Sequence, residues 1–278
     1  MLFHTVIPMV QVRWCEKHGP FRGDRCPICG EEGKFMLNDW ELVAISRMLA
    51  GILRHFPEKF GVRLDEHGWA NLYDIVKGIK RKHRRFRWLK VKHIEAIVLT
   101  DDKGRYQLDM ENRRIRATYG HSVRVDLSDL PTEGVPDTLY YPTTEEEFEF
   151  IQEMGLKPGD RKWVHLSKSY EDAYIAGRHM VDDPLILEVD AKKAIEDGYT
   201  IYVASPKVFI TTEVPPQYIK LAEKREVELP PEELEKIEEE KRRREKKLER
   251  ERERERRSGR RGLSNGEIRS EESEDTSY

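Results

Sequence analysis

No stretch of this sequence stays apolar for the roughly 18–20 residues that a membrane-spanning helix requires, so the chain is not expected to enter a bilayer. Its first residues include Leu2, Phe3, Val6 and Ile7, but they lack the charged lead and small-residue cleavage site of a secretory signal. Cysteine is scarce. The three present all fall within residues 15–29, too few and too clustered for a disulfide scaffold. Hydrophobic residues make up only 37%, no more than the charged ones. These shortages exclude the transmembrane and disulfide-rich secreted classes and predict a soluble, cytoplasmic protein.

Charge is abundant and unevenly placed. The net charge of −3 conceals an almost unbroken run of Glu, Lys and Arg over residues 232–257, a basic stretch from Lys77 to Lys92 and an acidic patch at 271–275. High Glu, Lys and Arg with little Cys is also the hyperthermophile bias. With 278 residues there is room for two compact domains plus attachments.

The cysteines have metal-ligand spacing. Cys15 and His18 are followed, after seven residues, by Cys26-Pro27-Ile28-Cys29-Gly30. Each pair brings two ligands together, and the surrounding Gly and Pro permit the turns that aim them at one ion. Three thiolates and an imidazole, from His18 or from His4 in its place, would close a tetrahedral shell with no open position for chemistry. A structural zinc module is therefore expected over residues 1–36.

Beyond it the apolar pattern becomes helical. Leu42, Ile45, Leu49, Ile52 and Leu53 recur at the spacing of one helix face over residues 39–56, with Asn38 or Asp39 available as a cap. Pro57 restricts continuation, so Arg54 and His55 fall at the helix end, about 100° apart around its axis. Leu72, Ile75, Val76 and Ile79 mark a second helix, and 92–99 a short third one. Alternation at Tyr106, Leu108 and Met110, a turn at Glu111-Asn112 and a return over Arg114–Thr118 predict a hairpin. Three helices followed by a hairpin resemble a winged-helix lobe, assigned to residues 37–126.

The Pro-, Gly- and Asp-rich stretch Leu127–Asp137 reads as a linker into a mixed lobe over 127–222. Strands are expected at Thr138–Tyr141, Lys162–Leu166, Leu185–Val189, Ile201–Val203 and Val208–Thr211, and helices at Glu145–Met154, Tyr170–Arg178 and Ala191–Glu196. The fold class is α+β. Residues 223–278 read as a solvated charged helix starting at Pro230-Pro231, supported by i,i+4 pairs such as Glu238–Arg242 and Glu239–Arg243. It frays at Ser258-Gly259 into a disordered tail.

Three short segments place an arginine in motif-like surroundings: Leu53-Arg54-His55, the run Ile115-Arg116-Ala117-Thr118-Tyr119-Gly120-His121-Ser122, and Arg161 ahead of His165-Leu166-Ser167. Arginine is always charged, and its planar fork fits phosphate oxygens. Drawn from distant points with histidines close by, they suggest a pocket built around a phosphate. The basic run, with Lys80, Arg84 and Arg85 among its cations and Phe86 and Trp88 interleaved, fits an RNA backbone footprint. The two rings are placed either to stack on bases or to pack in the core.

From Asp39 to about Ile219 the chain resembles the RNA 2′-phosphotransferase family. The matching pieces occur in order: Ile52–His55, Leu64-Asp65-Glu66-His67-Gly68-Trp69, Asp101-Asp102-Lys103-Gly104-Arg105-Tyr106, Ile115–Ser122, Gly155-Leu156 with Arg161, Val164–Ser167, Gly177-Arg178-His179 and Val214–Ile219. The ordered set is specific, although no single piece is.

The resemblance implies a winged-helix lobe that holds RNA and an ADP-ribosyltransferase-like lobe that holds NAD+, in a monomer. The family's Arg-His-Arg-Arg tetrad falls on Arg54, His55, Arg116 and Arg161. NAD+ contacts fall on Tyr141, Thr143, His165, Ser167 and Arg178, and an RNA contact on His121. The implied reaction moves the 2′-phosphate of an RNA, of the tRNA splice-junction type, to NAD+. It releases nicotinamide and ADP-ribose 1″,2″-cyclic phosphate. Fixed guanidinium groups suit the charge that builds on phosphorus, and an imidazole suits proton transfer.

Three departures fall on the cofactor side. Tyr141-Pro142 stands where the family has His-Gly, Trp163 where it often has His, and Pro206-Lys207 where Asn-Gly is usual. Two alternatives follow from them and from the shared first step. One is ADP-ribosylation of terminal phosphates of RNA or DNA; the other is a non-catalytic RNA-binding protein with a decayed NAD+ pocket.

Overall fold

Four-residue segments, each with one or two buried side chains, build the start of the chain. Strands β1 (Val12–Cys15), β2 (Gly19–Arg22) and β3 (Lys34–Leu37) pair in the order β2-β1-β3. The structure, a computed structural model, describes residues 11–250 except 160, 161, 232, 240, 244, 247 and 248.

Helix α1 (Asp39–Arg54) begins with a capping box in which Asn38 and Glu41 each accept from the other's backbone N–H. This satisfies two donors that a helix start otherwise leaves orphaned. Its apolar face is buried at Leu42, Ile45, Leu49, Ile52 and Leu53. The helix stops at Arg54, two residues short of the expected end. Pro57, whose fixed φ and missing N–H suit a first helical position, starts the short helix α2 (Pro57–Phe60) instead.

Strand β4 (Ala70–Asn71), helix α3 (Leu72–Lys82), a 3-10 turn at Arg84–Phe86 and helix α4 (Val91–Leu99) follow. Strands β5 (Tyr106–Asp109) and β6 (Arg114–Ala117) form the expected hairpin, and β4 joins β6 on its other edge. One core holds these elements together, with Leu49, Ile52, Ile75, Ile79, Phe86, Ile94 and Ile115 fully buried. Helix α3 lies so close to α2 that a Cβ on Gly78 would sit 2.4 Å from the Phe60 carbonyl oxygen.

The second half contains strand β7 (Thr138–Thr143), helix α5 (Glu145–Met154), strand β8 (Val164–Ser167), helix α6 (Tyr170–Arg178), strand β9 (Leu185–Asp190) and helix α7 (Ala191–Glu196). Strands β10 (Ile201–Val203), β11 (Val208–Thr211) and β12 (Ile219–Leu221) complete it. The strands make one antiparallel sheet in the order β10-β11-β8-β7-β9-β12. Leu139, Leu166, Leu187, Val189 and Phe209 form its core.

A third apolar cluster joins the halves. Val125, Leu127 and Leu130 are buried against Ala204 and Ile210, with Tyr119, Trp163 and Tyr202 at the edge. The stretch expected as a linker is thus partly packed. The helix after Pro230 is also docked rather than solvated. Ile237 is 2% exposed, and ion pairs run from Glu233 to Lys103, from Glu239 to Arg47 and from Lys241 to Asp182. One apolar residue per few turns gives no coiled-coil seam, yet with those ion pairs it anchors the helix on both halves. The Glu238–Arg242 and Glu239–Arg243 pairs are present; residues 251–278 lie outside the described residues.

Gly78→Ala should destabilise the protein by about 1–3 kcal/mol, the usual range for overpacking a tight core, because the obstructing atom is backbone. Urea unfolding of the variant beside the wild type measures it.

Candidate active site

The C-terminal end of α1 is closed by the segment after β6. The backbone N–H groups of Ser122 and Val123 donate to the Arg54 carbonyl at 2.9 and 3.2 Å, supplying partners where a helix end lacks them. The same wrap brings His55 Nδ1 to 3.0 Å from the Ser122 hydroxyl. Gly120 has φ +81°, and a Cβ there would meet Arg54 Nη1 at 3.3 Å. Arg54 stacks over the Tyr119 ring, 4.7 Å from its centroid. Its Nε and Nη2 are buried without a hydrogen-bond partner, as are both ring nitrogens of His121.

His121 is 1% exposed. Burial, followed by the nearby cations of Arg54, His55 and Arg116, pushes its pKa down to about 3. It is therefore neutral, and the charges of Arg54 and Arg116 both act on it. Arg116, 3% exposed, is firmly held. Its Nη1 pairs with both Asp129 oxygens at 2.8 Å, its Nε donates to Gln107 at 2.8 Å, and its guanidinium lies over Trp69. Arg161 lies outside the described residues.

From the sheet half, His165 reaches the segment after β6: its Nε2 accepts the Gly120 N–H at 3.0 Å, and its ring packs edge-on against Tyr119. Among the described residues a single register pair, Tyr140 with Ser167, joins β7 to β8, whereas β7 pairs with β9 along its whole length. The ladder does not continue to Tyr141, Pro142 and Thr143; Pro142 carries no N–H to donate to it.

Ser167 is 9% exposed and sits in the ladders at that junction. Thr143 is fully buried, and its hydroxyl donates to Glu147 Oε2 at 3.1 Å, so it is committed to the first turn of α5. Arg178 gives Nη1 to the Asp182 carbonyl, while its Nε is buried without a partner.

Of the residues in the three departures, Pro142, Trp163 and Pro206 sit in packing contacts, and Lys207 pairs with Asp172 at 2.7 Å. Pro142 lies where a Cβ on Gly177 would meet it at 2.9 Å, and Pro206 where a Cβ on Gly104 would meet it at 2.7 Å. Trp163 packs edge-on against Tyr202 in the seam. Sequence reasoning missed Tyr119, Ser122 and Asp129 as partners of the tetrad positions. Tyr119 and Ser122 stood inside a quoted motif. Asp129 had no signal, since thirteen positions from Arg116 in an apparent linker implies no contact.

Lys80 is half-buried on α3, and Arg84 and Arg85 are exposed. Phe86 is fully buried, which settles its packing role, while Trp88 is 37% exposed.

At the other end of the molecule the ligand atoms of Cys15, His18, Cys26 and Cys29 all lie within 4.8 Å of one another. His18 Nδ1 is 3.6 and 3.5 Å from the sulfurs of Cys15 and Cys26, and Cys15 Sγ is 3.7 Å from Cys29 Sγ. A tetrahedron with metal–sulfur bonds of about 2.3 Å has edges of about 3.8 Å, so this cluster could hold a metal ion. Backbone N–H groups of Cys29 and Ile28 aimed at Cys26 lower its thiol pKa to about 6, which favours the thiolate a metal needs. His4, the alternative ligand, lies outside the described residues.

Comparison with known proteins places the chain in a family. The model of the RNA 2'-phosphotransferase, Tpt1 / KptA family matches residues 41–213. A "Probable RNA 2'-phosphotransferase" of Thermoplasma volcanium is 44% identical over 229 residues, which cover 82% of this chain and 95% of that protein. One from Thermoplasma acidophilum is 45% identical over 225 residues, covering 81% and 94%. Archaeoglobus fulgidus has a "Probable RNA 2'-phosphotransferase 1" that is 42% identical over 212 residues, covering 76% and 95%. The chain belongs to the RNA 2′-phosphotransferase family.

The depressed pKa of His121 has a consequence for stability. The unfolded chain takes up a proton on this residue near pH 6.5, and the folded chain does so only near pH 3. Between those values the unfolded state binds more protons, so stability falls as pH drops, by about 1.4 kcal/mol per pH unit from this group. His121→Asn should flatten the acid limb of a plot of unfolding free energy against pH. In the wild type the His121 ring proton resonance should not move between pH 8 and about 5.

Proposed function

We propose that this chain is an NAD+-dependent RNA 2′-phosphotransferase, with residues 37–126 acting as a winged-helix RNA lobe and 127–222 as an ADP-ribosyltransferase-like NAD+ lobe. The observation that carries the reading is the half-buried Arg54, two of whose guanidinium nitrogens are buried and unpartnered beside neutral His121, in a chain of this family. An unpartnered buried donor is costly, and a bound phosphate would relieve the cost.

In the first step an oxygen of the RNA 2′-phosphate bonds to the anomeric carbon of the nicotinamide ribose, and the bond to nicotinamide breaks. In the second, the neighbouring ribose hydroxyl bonds to phosphorus and loses its proton, while the phosphorus–oxygen bond to the RNA breaks. The RNA keeps a free 2′-OH, and ADP-ribose 1″,2″-cyclic phosphate leaves. Arg54, Arg116 and Arg161 would hold the phosphate without protonating it. The strong fixed charge of Arg116, oriented by Asp129 and Gln107, costs no reorganisation when negative charge builds. Ser122 orients His55 for proton transfer.

The residues at the β7–β8 junction suit NAD+. Tyr141, His165 and Ser167 border it, and the unpartnered Nε of Arg178 suits an anionic group. The substituted residues Pro142, Trp163 and Pro206 serve packing contacts, which supports a retained cofactor site over a decayed one. Thr143 contributes through the α5 turn. The cations Lys80, Arg84 and Arg85 would meet the RNA, whereas His121, 1% exposed, would act only from beside Arg54.

The Cys15, His18, Cys26 and Cys29 set fits a structural Zn2+. Four protein ligands leave no open position for chemistry.

Incubation of the protein, NAD+ and a 2′-phosphorylated oligonucleotide should yield nicotinamide, 2′-OH RNA and the cyclic phosphate. Accumulation of a stable ADP-ribosylated RNA end without cyclic phosphate would overturn the assignment. Arg54→Ala, Arg116→Ala and Arg161→Ala should each lower turnover by about 100-fold or more while retaining cooperative unfolding. Metal analysis of purified protein should find one zinc per chain. Cys26→Ser should lose that zinc and show a lower Tm.

A further inference from the structure

A continuous ladder of rings leaves the candidate active site and runs beneath α1 toward the Cys/His module. The His55 ring lies 6.2 Å from Phe56, which lies 6.3 Å from Phe60. From Phe60 the steps to His83, to Phe86 and to Trp88 are 6.1, 6.3 and 6.1 Å. Phe86 also stacks on Trp40 at 5.8 Å. The inner rings belong to the core, but Trp40 and Trp88, at the far end, are 53% and 37% exposed.

Exposed cations cover this ladder at intervals. Lys59 lies 4.9 Å from the Phe56 centroid, Lys82 5.3 Å from Phe60 and Arg85 4.8 Å from Trp40. At the end Lys92 lies 4.1 Å from Trp14 of the Cys/His module. Elsewhere in the same half Arg13, Arg22, Arg105, Arg113 and Arg114 each pair with a carboxylate. Among the described residues none of the four ladder cations does so within 4.0 Å.

Cations that merely covered a core would lower their mutual repulsion by pairing with acids. A row left unneutralised, ending in two exposed tryptophans, suits a polyanion whose units carry stackable faces.

We propose that this row is a track for the single-stranded RNA flanking the reacting 2′-phosphate, with Trp40 and Trp88 as base-stacking platforms at its far end. The inference rests on the RNA 2′-phosphotransferase reading for the identity of the RNA, and on the ladder for its path. From Arg54 to Trp40 the helix rises about 21 Å at about 1.5 Å per residue. That is the length of about six stacked nucleotides at about 3.4 Å each. A substrate of that length or more should bind better than one that fills only the phosphate pocket.

The test compares a trinucleotide and a 12-mer, each with one internal 2′-phosphate. Binding is measured by fluorescence anisotropy without NAD+, and turnover is measured in parallel. Wild-type protein should bind the 12-mer at least tenfold more tightly. The triple variant Lys59→Gln, Lys82→Gln, Lys92→Gln should bring that ratio toward one. The slope of log Kd against log salt for the 12-mer should fall by about 2, at about 0.7 for each of three lost phosphate contacts. Trp40→Ala should lower 12-mer affinity fivefold or more, and Trp88→Ala supplies the same readout if Trp40→Ala fails to fold.

Folded variants that keep both the ratio and the salt slope would overturn the track. Absence of turnover with either RNA would instead overturn the activity, because the binding ratio is read without the co-substrate.

Discussion

The carbonyl of Arg54, at the last turn of α1, is the point on which the site depends. A helix end carries partial negative charge and unpaired acceptors, and it favours cations. Here Ser122 and Val123 supply the missing donors, and Arg54 supplies the positive charge. Closing the helix in this way carries Tyr119, Gly120 and His121 across its end. The burial of Arg54 Nε and Nη2 and the neutrality of His121 follow from that one wrap. The left-handed backbone at Gly120 is part of the same constraint, since a side chain there would press on Arg54.

The wrap also couples the two halves. Gly120 donates to His165, and Tyr119 packs on its ring, so the sheet half meets the helical half beside Arg54. The apolar seam of Leu127, Leu130 and Ile210 and the docked helix around Ile237 brace that contact. The β7–β8 ladder stops next to it, at a proline in a strand. Two interruptions of regular structure, a helix end and a shortened ladder, are thus brought together through Gly120 and His165.

Much of the fold was legible in the sequence. α1, α3, α4, α5, α6 and α7 followed from apolar spacing and caps, and the hairpin and most sheet strands from alternation between turn residues. What escaped was short or non-local. β1 to β3 lie in the segment whose pattern reads as metal ligands, β4 is only two residues long, and β12 sits at the end of the Val214–Ile219 stretch, which reads as a motif. Ile237 is buried by surfaces that a charged helix does not announce. Within the site, Arg54, His55, Arg116 and the Cys/His set were visible as motifs. The commitment of Thr143 to α5 and the packing roles of Pro142, Trp163 and Pro206 were not.

The sequence by itself determined the family, the order of the elements, the metal-ligand spacing and which arginines and histidines could gather around an anion. These are properties of local pattern and residue chemistry. Only the tertiary structure decided how those side chains are used. Asp129 holds Arg116 across thirteen positions, His165 crosses from one half to the other, and unpaired cations line up over rings drawn from four separate elements. Such contacts are set by packing between elements distant in the chain, and pairing across that distance leaves no period or spacing in the sequence to read.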